Sequence, residues 1–211
     1  SATLRNYPDS VAWTCGAPFV EDSLHDNQQL IAVTLFKGVA KYSSFIIARK
    51  DDKRKKLIDF KNSTFAYSDR RSNSGYLAPS IILKNKGYDI INFFRLKLLA
   101  GTHERSIESV YKGLADVAAI DEYVWVEYLK AKPHLLKDLH VIETTGPFPF
   151  TPIVAGSSVN KEVLQKIQDS LVNMSQAELK TFKTDFNMDG FVRKEKSFYD
   201  PIKKMLEQVS K

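Results

Sequence analysis

The chain has 211 residues, is 43% hydrophobic and carries a formal net charge of +6, enough apolar content for one large core or two smaller lobes. It holds no run of about 18 apolar residues that would read as a membrane-spanning helix. The opening SATLRNYPDS lacks the charged start and apolar middle of a signal peptide, and the single cysteine, Cys15, excludes an internal disulfide framework and a Cys-rich zinc site.

In chain order, SVAWT (10–14) reads as a short buried strand, and Pro18 suits the first turn of a helix reaching Leu24. QLIAVTLF (29–36) and YSSFIIARK (42–50) read as strands. ARKDDKRKKL (48–57) holds much of the positive charge but mixes both signs and interleaves no aromatic residues. That favours a solvated loop over a nucleic-acid or anionic-membrane patch. TFAYS (64–68) is a strand, and Ser72 to Lys86 fits a helix ended by Gly87, with a kink expected at Pro79. DIINFFRLKLLAG (89–101) gives a short helix and a strand, and Thr102 caps a helix through Lys112. DVAAID (116–121) is a buried strand, and EYVWVEYLKAK (122–132) a helix stopped by Pro133. LHVIETT (139–145) and TPIVAG (151–156) are strands joined by the Pro-rich GPFPF, and the chain from Lys161 is mostly helical. The alternation of strands and helices predicts an α/β fold with largely parallel sheets.

Three strand-to-helix turns attract attention, because ligands in open α/β sheets sit at the carboxyl ends of strands beside helix starts. At 68–74 the run SDRRSNS supplies hydroxyls and an amide at a helix start, where unpaired N–H groups and a partial positive charge suit an anion. Ser72, Asn73 and Ser74 serve there either as ordinary capping residues or as ligand donors, and Gly75 permits close approach. At 101–103 His103 lies in the first turn of its helix, placed to donate to an oxyanion that would favour its charged form. At 121–122 Asp121 and Glu122 either accept from a protonated ligand or cap the next helix. The three turns are predicted to line one edge of one sheet.

The stretches FAYSDRRSNSGYLAP, GTHERSIESVYKGLADVAAID and DSVAWTCGAPFVED, in this spacing, resemble the phosphonate-binding proteins of bacterial ABC transporters, which have the type 2 periplasmic binding fold. The resemblance implies two α/β lobes with mixed sheets joined by crossing strands. It implies lobe 1 over 1–44 and 155–211, lobe 2 over 45–154, and a first lobe lacking a strand–helix–strand unit that relatives carry before the region matching Ser1. It also implies capture of a phosphonate, phosphite or phosphate-like oxyanion by hinge closure, for delivery to an ABC permease. By position, Ser72, Asn73, Ser74 and His103 would hold the oxyanion, Tyr42 would close over it, and Trp13 and Thr14 would face it from the other lobe. Asp121 is kept as a further ligand candidate. Asn73 stands where the family usually has threonine, Arg70 and Arg71 where it has proline and a small residue, and Thr151 where a carboxylate can read an amine.

The expectation is a monomer, periplasmic or otherwise extracytoplasmic, with membrane anchoring of the full-length protein left open, and no cofactor, metal or nucleic-acid partner. The competing readings are a sensory input domain of a membrane receptor such as a histidine kinase, and an enzyme using Cys15 as nucleophile. A small buried thiol is the favoured reading of Cys15.

Overall fold

The computed structural model describes residues 2–210, with side chains from Leu4 to Ser210; Ser1 and Lys211, the outer limits of the expected first lobe, lie outside the described residues. In chain order the elements are α1 (Ala2–Asn6), β1 (Val11–Trp13), α2 (Gly16–His25), β2 (Gln29–Thr34), β3 (Lys41–Arg49), β4 (Thr64–Tyr67), α3 (Ala78–Lys84), α4 (Ile90–Phe93), β5 (Leu96–Leu99), α5 (His103–Tyr111), β6 (Val117–Asp121), α6 (Glu122–Ala131), β7 (Leu139–Pro149), β8 (Pro152–Ala155), α7 (Lys161–Val172), α8 (Gln176–Phe186), β9 (Phe191–Val192) and α9 (Asp200–Val209). They form two compact units. The first comprises the chain up to Tyr42 and Phe148–Lys204; the second comprises Ser43–Pro147 and the chain from Met205 on.

The second unit carries the sheet β5-β4-β6-β3-β7. β4 runs parallel to β5 and to β6, whereas β3 pairs antiparallel with β6. Both faces of this sheet are covered, which is why β6 reads as an unbroken apolar run. Alternate residues feed separate clusters: Ile46, Phe65 and Val117 pack with Phe60 and Leu83, while Ile47, Ala66 and Ala118 pack with Ile107 and Trp125. The mixed-charge loop after β3 is tied down by Arg54, which pairs with Asp52 at 2.6 Å, donates to Ser63 Oγ and lies over the Phe60 ring.

The first unit carries the sheet β1-β8-β2-β9, and its pairings are all antiparallel, against the expectation of largely parallel sheets. β1 and β2 do follow one another through the helix α2, but β8 is inserted between them from far along the chain and runs opposite to both. β1 lies at a sheet edge, so Val11 and Trp13 are exposed rather than buried as expected. Cys15, at the cap just before α2, is likewise exposed and not the buried thiol anticipated. The helix α7 packs on β2, with Leu164 and Ile167 against Ile31 and Ala32.

The Pro-rich GPFPF is not a link between strands: β7 runs on through Pro149. The rings of Phe148 and Phe150 join an aromatic cluster with Phe36 and Tyr42, and Tyr199 donates its hydroxyl to the Phe150 carbonyl at 2.6 Å. These contacts and the pairing of β8 group residues 148–154 with the first unit, whereas the resemblance implies lobe 2 through residue 154. At the other end, Gln208 donates to Asn85, and the chain from Met205 groups with the second unit. Among the described residues, no helix is long and apolar enough to cross a membrane.

Candidate functional site

β5, β4 and β6 are adjacent and parallel, so their carboxyl ends share one edge of the second unit's sheet, and each leads into a helix start. The three turns anticipated from sequence meet there. After β4 the chain turns through Asp69, whose carboxylate accepts from Arg71 N at 2.7 Å and whose carbonyl accepts from Ser72 N at 3.1 Å. Ser72 has extended backbone, with φ −68° and ψ 126°, and its Oγ accepts the Gly75 N–H at 3.0 Å. The capping role therefore holds for Ser72.

The helix opens not as a regular α turn but as a wider π turn over Asn73–Leu77, with Leu77 N donating to Ser72 O at 3.0 Å. That widening brings Pro79 into the first turn of α3, where no N–H is required of it, so the expected interior kink becomes a change of helix type at the start. Asn73, Ser74 and Gly75 are all buried. The Ser44 hydroxyl, reaching from β3, donates to the Ser74 carbonyl at 2.7 Å and fixes the turn against the sheet. Among the described residues the Ser74 hydroxyl itself has no hydrogen-bond partner. At Gly75 a Cβ would lie 2.5 Å from Ser68 Oγ, 3.0 Å from Ser72 Oγ and 3.1 Å from His103 Cε1. A side chain there would displace all three groups.

His103 begins α5, capped by Thr102, whose Oγ1 accepts from Arg105 N at 3.2 Å. Its two nitrogens face different partners. The backbone N–H of Asp121 donates to Nδ1 at 3.3 Å, an arrangement that suits the neutral tautomer with its proton on Nε2, while the Ala119 carbonyl also acts on the ring as an acceptor. Nε2 faces Ser68 Oγ at 3.4 Å and Ser72 Oγ at 3.5 Å. Burial pushes the imidazole down to about 4, against the opposing pull of Glu104 and the Ala119 carbonyl. The sequence reading looked to a charged ring; the ring here is a neutral donor.

Asp121 is buried and its Oδ1 accepts from Tyr123 N at 2.8 Å and Val124 N at 3.4 Å, capping α6. Burial raises its carboxyl to about 7, with Glu122 and Glu104 adding to the rise while the two capping N–H groups oppose it. The Glu122 carboxylate accepts from Ser43 N at 2.9 Å. Asp121 thus caps α6, and Glu122 braces the start of β3.

The structure gathers Ser72, Ser74, His103 and Asp121 at this edge, with Asn73 in the same turn. Trp13, Thr14 and Tyr42 belong to the first unit. There Trp13 Nε1 donates to Thr151 Oγ1 at 2.8 Å, Thr14 N donates to Pro152 O at 3.1 Å, and the buried Tyr42 packs edge-on against Phe148 and Phe150. Arg70 is exposed and its guanidinium interacts with Tyr67, while Arg71 is half-buried. Sequence reasoning missed Ser44 and placed Ser68 in the turn without singling it out; the signal for Ser68 was its place as the first residue beyond β4.

Chemically, the edge offers donors. A serine activated as a nucleophile needs a histidine whose Nε2 is unprotonated, with Nδ1 donating to a carboxylate. His103 has the opposite polarity on both nitrogens. Among the described residues, no group of three His, Cys, Asp or Glu side chains is placed to hold a metal ion.

The model of the phosphonate periplasmic substrate-binding proteins of ABC transporters matches residues 10–199. The chain belongs to this phosphonate-binding family. Among its relatives is the phosphonates-binding periplasmic protein of Escherichia coli, 29% identical over 77% of this chain and 49% of that protein. Two solved structures share the fold, each with a TM-score of 0.86. One is a binding protein component of an ABC phosphonate transporter from Pseudomonas aeruginosa, 24% identical over 97% of this chain and 71% of that one. The other is PhnD1 from Prochlorococcus marinus in complex with methylphosphonate, 21% identical over 99% of this chain and 81% of that one. The chain spans about half the length of the curated relatives it matches.

Proposed function

We propose that the chain captures a small oxyanion of the phosphonate, phosphite or phosphate class as the extracytoplasmic substrate-binding component of an ABC transporter. The observation that carries the reading is the convergence at one sheet edge of neutral donors, with His103 polarised to give a hydrogen bond rather than to take a proton. That polarity supports binding without chemistry. The spare Ser74 hydroxyl, the Nε2–H of His103 and the helix-opening N–H groups are the proposed oxyanion contacts, and Asn73 and Ser72 complete the turn that presents them. Trp13, Thr14 and Tyr42 stay in the proposal on the strength of the family resemblance, with hinge closure as the mode of capture and an ABC permease as partner.

Calorimetry with phosphate, phosphite and methylphosphonate tests the ligand class. Heat is expected with at least one, and Ser74→Ala is expected to weaken that binding by about 1–3 kcal/mol, since a buried anion loses a charge-assisted hydrogen bond. Silence with all three would remove the ligand class.

A further inference from the structure

We propose that Ser68 is a positioning residue of this site: it receives the Nε2 proton of His103 and, with the Asp121 main chain on the opposite nitrogen, presents the ring to the ligand as a neutral donor. This rests on the oxyanion reading above. Ser68 is buried immediately beyond β4, and its hydroxyl and that of Ser72 flank Nε2 at 3.4 and 3.5 Å. Both separations lie beyond the usual range of about 2.7–3.2 Å, so the ring proton is loosely shared between two weak acceptors. An incoming anionic oxygen would offer a shorter, charge-assisted bond and draw the proton away from both at little cost.

The geometry around the pair is crowded in a way that serves it. Ser68 Oγ occupies space that a Cβ at residue 75 would enter at 2.5 Å, and the same Cβ would meet His103 Cε1 at 3.1 Å. Gly75 therefore leaves room for the serine and the ring together. The lock on Nδ1 is a peptide N–H at the start of α6, a group that does not titrate. The charged group acting on the ring is Glu104 from α5, and the Ala119 carbonyl acts on it as well; Glu122 and Glu104 act on the neighbouring Asp121 carboxyl. A neutral donor adds no further charge to that setting. Asp121 thus serves the site through its main chain, and its carboxylate is left to the cap.

The test begins with the ligand-free full chain, labelled with 15N-histidine. Long-range proton–nitrogen spectra are expected to show His103 with a protonated Nε2 and a bare Nδ1 at about pH 6–8, and Ser68→Ala and Ser68→Cys to shift the Nε2 resonance alike. Calorimetry with methylphosphonate, phosphite and phosphate is expected to show both variants about three- to tenfold weaker for whichever binds. Cysteine is the closest match in shape, only slightly larger, but is a poor acceptor, so a packing role would be largely rescued by Ser68→Cys, and wild-type affinity in that variant would overturn the proposal. A doubly protonated ring or an Nδ1–H tautomer at about pH 6.5 would overturn it too. If none of the three anions binds wild type, the ligand class falls while the spectra still decide the tautomer.

Discussion

Asp121→Asn uncovers a pH dependence of stability that the native chain conceals. Burial holds the His103 imidazole down to about 4, against 6.5 for the free side chain. Between those values the unfolded chain binds a proton that the folded chain refuses. The His103 contribution is therefore full above about pH 6.5 and is lost as pH falls towards about 4. At about 1.4 kcal/mol for each tenfold change in proton affinity, the loss is roughly 3 kcal/mol. Asp121 acts in the opposite sense. Its carboxyl is raised from 3.8 to about 7 by burial, so the folded chain holds a proton that the unfolded chain releases. Its contribution is full below about 3.8 and is lost as pH rises through about 7, roughly 4 kcal/mol on the same scale. Across the shared window the two slopes nearly cancel in the native protein. Neither group is among the causes of the other's shift, so each can be removed alone. Asparagine is as good a cap as aspartate, so Asp121→Asn keeps α6 while removing the carboxyl titration. Its unfolding free energy is expected to rise by roughly 3 kcal/mol from about pH 4 to 6.5, whereas that of His103→Gln should fall by roughly 4 kcal/mol from about pH 4 to 7. Urea unfolding followed on Trp125 in a Trp13→Phe background reads the second unit by itself, with the urea slope checked for constancy across pH. Flat profiles in both variants would refute the reasoning, because they would mean that the two groups are solvated as in the unfolded chain; slopes of the same sign would refute the opposed directions of the two shifts.

Gly75→Ala should cost about 1–3 kcal/mol, the usual penalty of overpacking, because its Cβ meets Ser68 Oγ at 2.5 Å and His103 Cε1 at 3.1 Å; a lowered melting temperature together with weaker anion binding checks it. Ser44→Ala strips the Ser74 carbonyl of the buried hydroxyl that binds it at 2.7 Å, and about 1–2 kcal/mol of stability should go with it in urea unfolding of the second unit. Tyr199→Phe removes the 2.6 Å hydrogen bond to the Phe150 carbonyl. About 1 kcal/mol or somewhat more should be lost from the first unit, read on Trp13 fluorescence.

What was legible in the sequence divides along a physical line. β4, α5 and β6 announced themselves because apolar runs and the Thr102 cap are local signals, and the structure keeps each of them. Local signals also placed the three turns on one edge, since adjacent parallel strands joined through helices bring their carboxyl ends together. The direction of the first sheet was not legible. β1, α2 and β2 look like a parallel unit, and only the insertion of the distant β8 between them makes each pairing antiparallel. The continuation of β7 through Pro147 and Pro149 was hidden for a related reason, because prolines argue against a strand locally while the cluster around Phe150 is formed by residues far away in sequence.

The protonation of the site was equally out of reach. A histidine in the first turn of a helix is consistent with either charge state. The Nε2–H tautomer is favoured by one main-chain N–H, that of Asp121, eighteen positions away. That single bond also separates two readings of the same residue types. Serine, histidine and aspartate at one sheet edge are the parts of a hydrolytic triad as much as of an anion site. With a carboxylate accepting from Nδ1, Nε2 would be basic and Ser68 or Ser72 could be deprotonated by it. With a peptide N–H donating to Nδ1, the neutral ring favours its proton on Nε2, the serines then have no base, and the Asp121 carboxylate is spent on the cap of α6. The residue inventory was readable from the chain; the direction of one hydrogen bond favours a set of donors over a catalytic arrangement.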